Sequence, residues 1–262
     1  MPSTLNLSRL GLLAKGNLVS AINLLGATAI AIYVVAMLIH PWFAGEWEWR
    51  YVQDVWDRWQ ALNVGVLAFL SSLIAFNITG YNASRQRERD FIAARAFLPS
   101  ALSELIPFFK ESARVFRRAW ETNDQGLFEL PEPPIPDAYR TIFAECIRHA
   151  SPEVGDHLSK ILVQLQIHSA RLRSLLHPDE EIDVHIVSKH NLITYLYRVG
   201  ELQALVGNLF DFARGESDFR ARKLEWEDFR NAFGNLNIDT DDFVIDEKLN
   251  LKSFTERRLA KQ

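Results

Sequence analysis

Two long segments without charged side chains dominate the first third of the chain. The first covers 24 residues from Gly16 to Ile39, and the second covers 26 residues from Trp59 to Ser84. A helix needs about 20 apolar residues to cross a bilayer core of about 30 Å. The pattern therefore predicts a transmembrane hairpin over residues 16–84, with spans at about 16–39 and 59–81 and an external loop at 40–58.

The first segment also has features of a secretory signal, because Arg9 and Lys15 precede it and it contains the triplet Ala29-Ile30-Ala31. The apolar core of a signal has about 7–15 residues and ends at the cleavage site. Here the apolar run continues past the triplet to Ile39. We therefore interpret the segment as a retained membrane anchor.

Basic residues near the two spans predict their orientation. Six of them lie on the side of the chain termini: Arg9, Lys15, Arg85, Arg87, Arg89 and Arg95. The external loop has two, Arg50 and Arg58, beside four acidic residues. By the positive-inside rule we expect a multi-pass membrane protein with both termini, including a tail at 1–15, in the cytoplasm and with residues 40–58 outside.

Tryptophan is concentrated in the external loop and at the first residue of the second span, which together contain five of the seven in the chain, here called the loop tryptophans: Trp42, Trp47, Trp49, Trp56 and Trp59. Indole rings favour the headgroup layer of a bilayer, and arginines at the other end of a span contact anionic headgroups. We interpret these tryptophans, together with Arg85, Arg87 and Arg89, as interfacial anchors. The alternative is that the tryptophans form a binding surface for an extracytoplasmic ligand.

Polar but uncharged side chains lie within the two spans, and they form a candidate polar seam: Asn23, Asn63, Ser71, Ser72 and Asn77. An amide in hydrocarbon requires a partner. Either these groups bond within one hairpin, or several hairpins assemble so that the groups line an ion-permeable path. Pairs of small residues four apart predict where the helices pack: Gly16/Ser20, Ala27/Ala31, Ala68/Ser72 and Ser71/Ala75.

Beyond the spans the pattern is helical and all-α. We predict a juxtamembrane helical region at 85–126, a proline-rich extended linker at 127–136 and a cytoplasmic helical bundle at 137–262. Ser151-Pro152-Glu153 is a strong helix start. The helix that follows has a leucine seam, in which Ser169 completes the spacings of three and four. The seam packs either within one chain or between chains, and its leucines are Leu158, Leu162, Leu165, Leu172 and Leu176.

Further helices are predicted at about 183–214, 219–233 and 240–260, without a convincing strand pattern. The apolar stripe of the first of these runs along Leu192, Leu196, Val199, Leu202, Val206 and Leu209. A regular recurrence at three and four residues is typical of a helix packed along one face.

Charge places the part beyond the spans in water. Residues 1–84 contain four basic and four acidic residues, so the remaining 178 residues carry the whole formal net charge of −4. We therefore expect no direct nucleic-acid binding, which favours a basic surface. A single cysteine, Cys146, excludes an intramolecular disulfide and suits a reducing cytosol.

No catalytic constellation is evident in the sequence. Six histidines follow the spans, but no two are four residues apart, the spacing that places two imidazoles on one helical face beside a metal. Cys146 precedes His149 by three residues, which allows a thiolate pair, although a buried structural thiol is the simpler interpretation. We expect neither enzymatic activity nor a cofactor or metal.

The layout of an uncharged two-helix hairpin joined to a sizeable intracellular helical domain resembles the two-transmembrane effectors of bacterial antiphage systems, including those that accompany retrons. The resemblance is architectural, covers the chain coarsely and includes no shared motif, so it assigns no functional residue. It implies a homo-oligomeric effector that a cytosolic protein or nucleoprotein partner keeps silent. On infection such an effector permeabilises the inner membrane and kills the host cell, as an antiviral defence.

Two further classes of function fit the same sequence. A membrane anchor or scaffold would dock a cytosolic partner through the helical domain and would not conduct ions. An enzyme would require a helical active site without a recognised motif.

Overall fold

The computed structural model describes residues 20–21, 23–122, 130–177 and 188–261. The predicted tail at 1–15, Gly16 and residues 127–129 of the predicted linker lie outside the described residues. The chain divides into two compact units, Met1–Gln86 and Arg87–Gln262.

The helices have the following bounds. The first unit contains α1 (Asn23–Ala44, with a π-helical stretch at Val34–Ile39), α2 (Trp49–Arg58) and most of α3 (Gln60–Arg95). The second contains the end of α3, then α4 (Leu98–Glu121), α5 (Ala138–His149), α6 (Pro152–Leu176), α7 (Lys189–Gly207), α8 (Phe210–Arg214), α9 (Trp226–Asn235) and α10 (Leu251–Leu259). The prediction of a helical fold is confirmed, and two helices are long and apolar enough to cross a membrane.

Helices α1 and α3 contact each other along one face of each. The less exposed positions recur at spacings of three and four, on α1 at Asn23, Gly26, Ile30, Tyr33 and Met37 and on α3 at Asn63, Val66, Leu70 and Leu73. Asn77, four residues after Leu73, is exposed. Gly26 permits the close approach, because a Cβ added there would lie 3.1 Å from Leu73 Cδ2.

The small residues that were predicted to pack these helices lie elsewhere. Ala27, Ala31, Ala68, Ser72 and Ala75 are all exposed, so this prediction is wrong for the described residues. Hydrogen bonds between polar side chains of the two helices instead select the contacting face, which is that of the asparagines.

In the second unit the core surrounds α7. Twelve of its 19 residues are buried, which makes it the central helix. Helices α4, α6, α9 and α10 contact it, and α5 lies against α4 and α6. Packing at Gly200 is tight, because an added Cβ would overlap Cε1 of Phe233. The predicted stripe of α7 is confirmed, since all of its members are at most 1% exposed.

The leucine seam of α6 is confirmed in part. The buried stripe recurs at spacings of three and four: Val154, Leu158, Ile161, Leu165, His168, Leu172 and Leu175. Leu162 and Leu176 are partly buried beside this core. The buried stripe differs from the predicted leucine seam for a geometric reason. Because α6 contacts both α5 and α7, residues beside the leucines are buried as well. Leu158, Leu165 and Leu172 are buried within this one chain.

Two predicted helices have different boundaries in the structure. The predicted helix at 183–214 ends at Gly207, and the short α8 follows it; its first residues lie outside the described part. The predicted helix at 219–233 begins at Trp226 instead. Its start is fixed by Asp228, whose carboxylate accepts from the Glu225 N–H at 2.8 Å and pairs with Arg222 at 2.5 Å.

The predicted helix at 240–260 is wrong over its first half. A 3-10 turn at Thr240–Asp242 precedes an antiparallel hairpin of β1 (Val244–Asp246) and β2 (Leu249–Asn250). Helix α10 begins after Asn250, whose side chain accepts from the Ser253 N–H at 2.8 Å while its own N–H donates to the Ser253 hydroxyl at 3.1 Å. This reciprocal cap favours a helix start at that position.

The described part of the predicted linker, residues 130–136, is neither helix nor strand, and it packs on the helical domain. Pro133 is buried, and Leu130 and Ile135 pack against the core. The Glu132 carboxylate lies 3.5 Å from Nε of Arg173, near the end of α6.

Candidate functional site

The polar seam forms two bonded pairs between α1 and α3. Asn23 Nδ2 donates to Asn77 Oδ1 at 3.1 Å, and Asn77 Nδ2 donates to Asn23 Oδ1 at 3.2 Å. Farther along α1, the Tyr33 hydroxyl donates to Asn63 Oδ1 at 2.7 Å. The three asparagines therefore lie in the contact between the two helices.

The two serines of the predicted seam do not join these pairs. The Ser71 hydroxyl donates to the Leu67 carbonyl and the Ser72 hydroxyl donates to the Ala68 carbonyl, each at 2.9 Å within α3. Both serines are exposed. A hydroxyl bonded to its own helix satisfies its donor without a partner helix.

The tryptophans of the external loop are in mutual contact. The ring centroids of Trp42 lie 5.8 Å from Trp47 and 5.7 Å from Trp49, and those of Trp49 and Trp56 are 6.4 Å apart. Trp56 Nε1 also donates to the Met37 carbonyl at 2.9 Å. The fifth, Trp59, is 50% exposed and ends α2. The role of all five as interfacial anchors stays a prediction.

The turn between α1 and α2 is strained. Glu46 and Trp47 have φ values of 50° and 68°, a left-handed region that side chains other than glycine seldom adopt. Gly45 precedes them, and a Cβ added there would lie 2.5 Å from Cδ1 of Tyr51. Such strain persists where the surrounding packing fixes the backbone.

The arginines after the second apolar segment differ in their contacts. Arg85 Nε donates to the Tyr81 hydroxyl at 3.0 Å. Arg87 donates from Nε to the His149 carbonyl and from Nη2 to the Ala150 carbonyl, both at 3.3 Å. A cation at these carbonyls stabilises the C-terminal end of α5. Arg89 is exposed. Headgroup contact by these arginines stays a prediction.

His168 is a buried histidine whose place in the core was not predicted. It is 3% exposed, and its ring lies edge-on to Phe108, Phe109 and Phe116 at centroid distances of 5.6, 6.4 and 5.6 Å. Its Nε2 has no hydrogen-bond partner among the described residues. Burial, with a smaller effect from Arg171, lowers the pKa of His168 to about 4. Its position in the stripe, three residues after Leu165 and four before Leu172, was the available signal.

The Cys146 thiol is 0% exposed, which confirms its predicted burial. Burial raises the pKa of this thiol to about 11, so the reactive thiolate is disfavoured at neutral pH. Within the described ranges, no three His, Cys, Asp or Glu side chains are grouped so that they could hold a metal ion.

Comparison with protein-family models, curated proteins and solved structures finds no match for this chain.

Proposed function

We propose that the chain is a multi-pass protein of the bacterial inner membrane, in which α1 and the apolar part of α3 form a transmembrane hairpin. The observation that carries this proposal is the exposure of apolar side chains on both helices. Leu24, Ile32, Val64 and Leu67 are each more than 60% exposed. Apolar surfaces of this extent are rare on soluble monomers, and a bilayer would cover them.

A soluble core or a cleaved signal would account less well for the apolar helices. A core helix of a soluble protein would be buried, whereas the apolar window of the second helix is 0% buried. A cleaved signal would leave the protein, yet α1 bonds α3 through Asn23 and Asn77. These contacts favour a first helix that remains in the mature protein.

Within that layout we propose that the protein serves as an anchor or scaffold that holds the helical domain at the cytoplasmic face, where the domain docks a cytosolic partner. The hydrogen bonding of the polar seam within one chain supports this function. The amides and hydroxyls of Asn23, Asn77, Tyr33 and Asn63 are bonded within one chain, and both serines bond their own helix. Groups already bonded in this way do not offer a ready path to ions.

Membrane extraction and terminal fusions test the layout. We expect the full chain to remain in bacterial membranes after alkaline carbonate extraction. A fluorescent protein fused after Gln262 should fluoresce, and alkaline phosphatase fused there should be inactive, because the C terminus would be cytoplasmic. Release by carbonate, or an active phosphatase fusion, would contradict the proposal.

The second candidate is the effector function, in which hairpins assemble into a homo-oligomer and permeabilise the membrane in antiphage defence. The reciprocal pairing of Asn23 and Asn77 favours it over other activities. Two identical amides keep the same number of hydrogen bonds when the pairs re-form between chains, so assembly would leave no amide unpaired. Release of a cytosolic protein or nucleoprotein partner would be the trigger.

A voltage-sensitive dye separates the two candidates in cells that express the full chain. An effector would depolarise the cells before growth stops, and the double variant Asn63→Leu/Asn77→Leu would insert without depolarising them. Ser71→Ala/Ser72→Ala is the matched control, since these hydroxyls bond their own helix. Unchanged potential with the inserted wild-type chain would favour the anchor, and depolarisation by the leucine variant would contradict the polar path.

A further inference from the structure

Five aromatic rings from the end of α1, the turn after it and α2 form a continuous surface, which we call the aromatic patch: Trp42, Phe43, Trp47, Trp49 and Trp56. The rings contact one another in the order Phe43, Trp47, Trp42, Trp49 and Trp56, with neighbouring centroids 5.5–6.4 Å apart. Phe43 and Trp47 are each 66% exposed and Trp49 is 53% exposed. Large aromatic rings exposed together indicate a surface that something covers.

Helix α2 separates apolar from charged residues around its axis. Trp49, Val52, Trp56 and the following Trp59 are spaced by three and four residues and so lie on one side. Val52 on that side is 0% exposed. The charged residues with the same kind of spacing occupy the other side of the helix: Arg50, Asp54 and Asp57. Such segregation is typical of helices that lie in the plane of a membrane surface.

We propose that α2 is an in-plane interfacial helix, and that the aromatic patch inserts at the boundary between lipid headgroups and acyl chains. The proposal rests on the membrane layout given under the proposed function. We infer that lipid covers the patch because the patch is continuous with the exposed apolar end of α1, where Leu38 and Ile39 are 40% and 44% exposed. A surface shared with a membrane-spanning helix meets the same lipid.

The strained turn supports the same placement. The left-handed backbone at Glu46 and Trp47 brings the Trp47 ring to 5.5 Å from Phe43 and 5.8 Å from Trp42. The Glu46 side chain is exposed. The strained backbone of the turn therefore holds the exposed indole of Trp47 within the patch. An indole has an apolar ring and a polar N–H, which suits the boundary between headgroups and acyl chains.

Tryptophan quenching in vesicles tests the depth of the patch. The full chain carrying Trp120→Phe and Trp226→Phe retains only the five loop tryptophans, and phenylalanine preserves the ring packing at the replaced sites. This protein is placed in vesicles of phosphatidylcholine and phosphatidylglycerol, with iodide on both sides of the membrane. The same vesicles are prepared with lipids that carry a nitroxide near the headgroup or at the end of the acyl chain.

We expect headgroup nitroxides to quench the fluorescence more than acyl-end nitroxides, and most iodide quenching to be lost relative to the unfolded chain. Trp47→Ser should reduce the nitroxide quenching, whereas Glu46→Gln, at the neighbouring exposed position, should leave it unchanged. Full iodide quenching in a chain that resists carbonate extraction would overturn the interfacial helix while leaving the membrane layout intact. Protection from iodide in native membranes but not in pure lipid would overturn it in favour of a protein partner. A chain released by carbonate would refute the layout itself.

Discussion

Trp56 Nε1 lies 2.9 Å from the main-chain carbonyl oxygen of Met37 and donates a hydrogen bond to it. In a regular α-helix this carbonyl accepts from the N–H four residues later, but that residue is Pro41, which has no N–H. Met37 is 6% exposed, so water has little access to the group. Met37 lies in the π-helical stretch Val34–Ile39, and a side chain of α2 supplies its carbonyl with a donor.

Trp56→Phe should destabilise the contact between α1 and α2, because it removes this donor and keeps an aromatic ring beside Trp49. We expect a loss of about 1 kcal/mol in the free energy of unfolding. The measurement is titration of detergent-solubilised full chain with dodecyl sulfate, followed by tryptophan fluorescence. Trp59→Phe, at an exposed indole of the same segment, is the control, and an equal loss in both variants would contradict the role of the bond.

Pro41→Ala extends this test, since alanine restores the N–H that a regular α-helix would offer to the Met37 carbonyl. We expect Trp56→Phe to cost less in the Pro41→Ala background than in the wild-type chain. A double-mutant cycle measures this coupling directly. Additive effects would show that Pro41 and Trp56 act independently.

The periodic parts of this fold were predictable from the sequence. The two apolar segments were predicted from their long runs without charge, and the stripe of α7 from repeats at three and four residues. Of this stripe, Leu192, Leu196 and Val199 are each 0% exposed. A long amphipathic pattern specifies which face of a helix is buried, because all the apolar side chains on that face favour its burial.

Contacts between distant residues were not predictable. The sequence shows that Asn23, Asn63 and Asn77 need partners, but it does not contain the register that pairs Asn23 with Asn77 and leaves Asn63 to Tyr33. The start of α9 likewise depends on the ion pair between Arg222 and Asp228, six residues apart. The burial of His168 was not predicted because a seam defined by leucines places Ser169 at that turn of α6 instead.

The reciprocal amide pair of Asn23 and Asn77 should show strong coupling. Replacing either residue by leucine leaves the other amide without its partner, and we expect a loss of about 1 kcal/mol for each single variant. The double variant should lose less than the sum, since it removes both amides together. Unfolding in dodecyl sulfate gives the four free energies, and Ser71→Ala serves as the control because its hydroxyl bonds within α3.

His168 should make the stability of the helical domain depend on pH. Its pKa is about 4 in the fold against an ordinary value of 6.5, so the unfolded chain binds a proton more readily than the folded chain. The contribution is therefore fully present above pH 6.5 and is lost as the pH falls toward 4. The difference between the two pKa values corresponds to about 3 kcal/mol.

Urea unfolding of the full chain in detergent, at pH 7.5, 5.5 and 4.5, measures this dependence. We expect His168→Leu to flatten the decline in stability, whatever its effect at pH 7.5. His177→Gln is the control, because the side chain of His177 is 65% exposed. A decline that stays equally steep in His168→Leu would assign the pH dependence to other groups.

Gly200 permits α7 to approach α9 at the ring of Phe233, and Gly200→Ala should destabilise the domain. The added Cβ would overlap Cε1 of Phe233 and lie 3.1 Å from its Cδ1 and Cζ, so the ring or the helix must move. Overpacking of this kind costs about 1–3 kcal/mol. At Gly207, the last residue of the same helix, no heavy atom lies within 4 Å of an added Cβ, and alanine there should leave stability equal or higher. Phe233→Leu should restore part of the loss in the Gly200→Ala chain, because the smaller side chain frees space for the new methyl group. Thermal unfolding is compared among the wild type, Gly200→Ala, Gly207→Ala and Gly200→Ala/Phe233→Leu. A general cost of alanine, unlike this steric conflict, would lower stability at Gly200 and Gly207 alike and would not be relieved by Phe233→Leu.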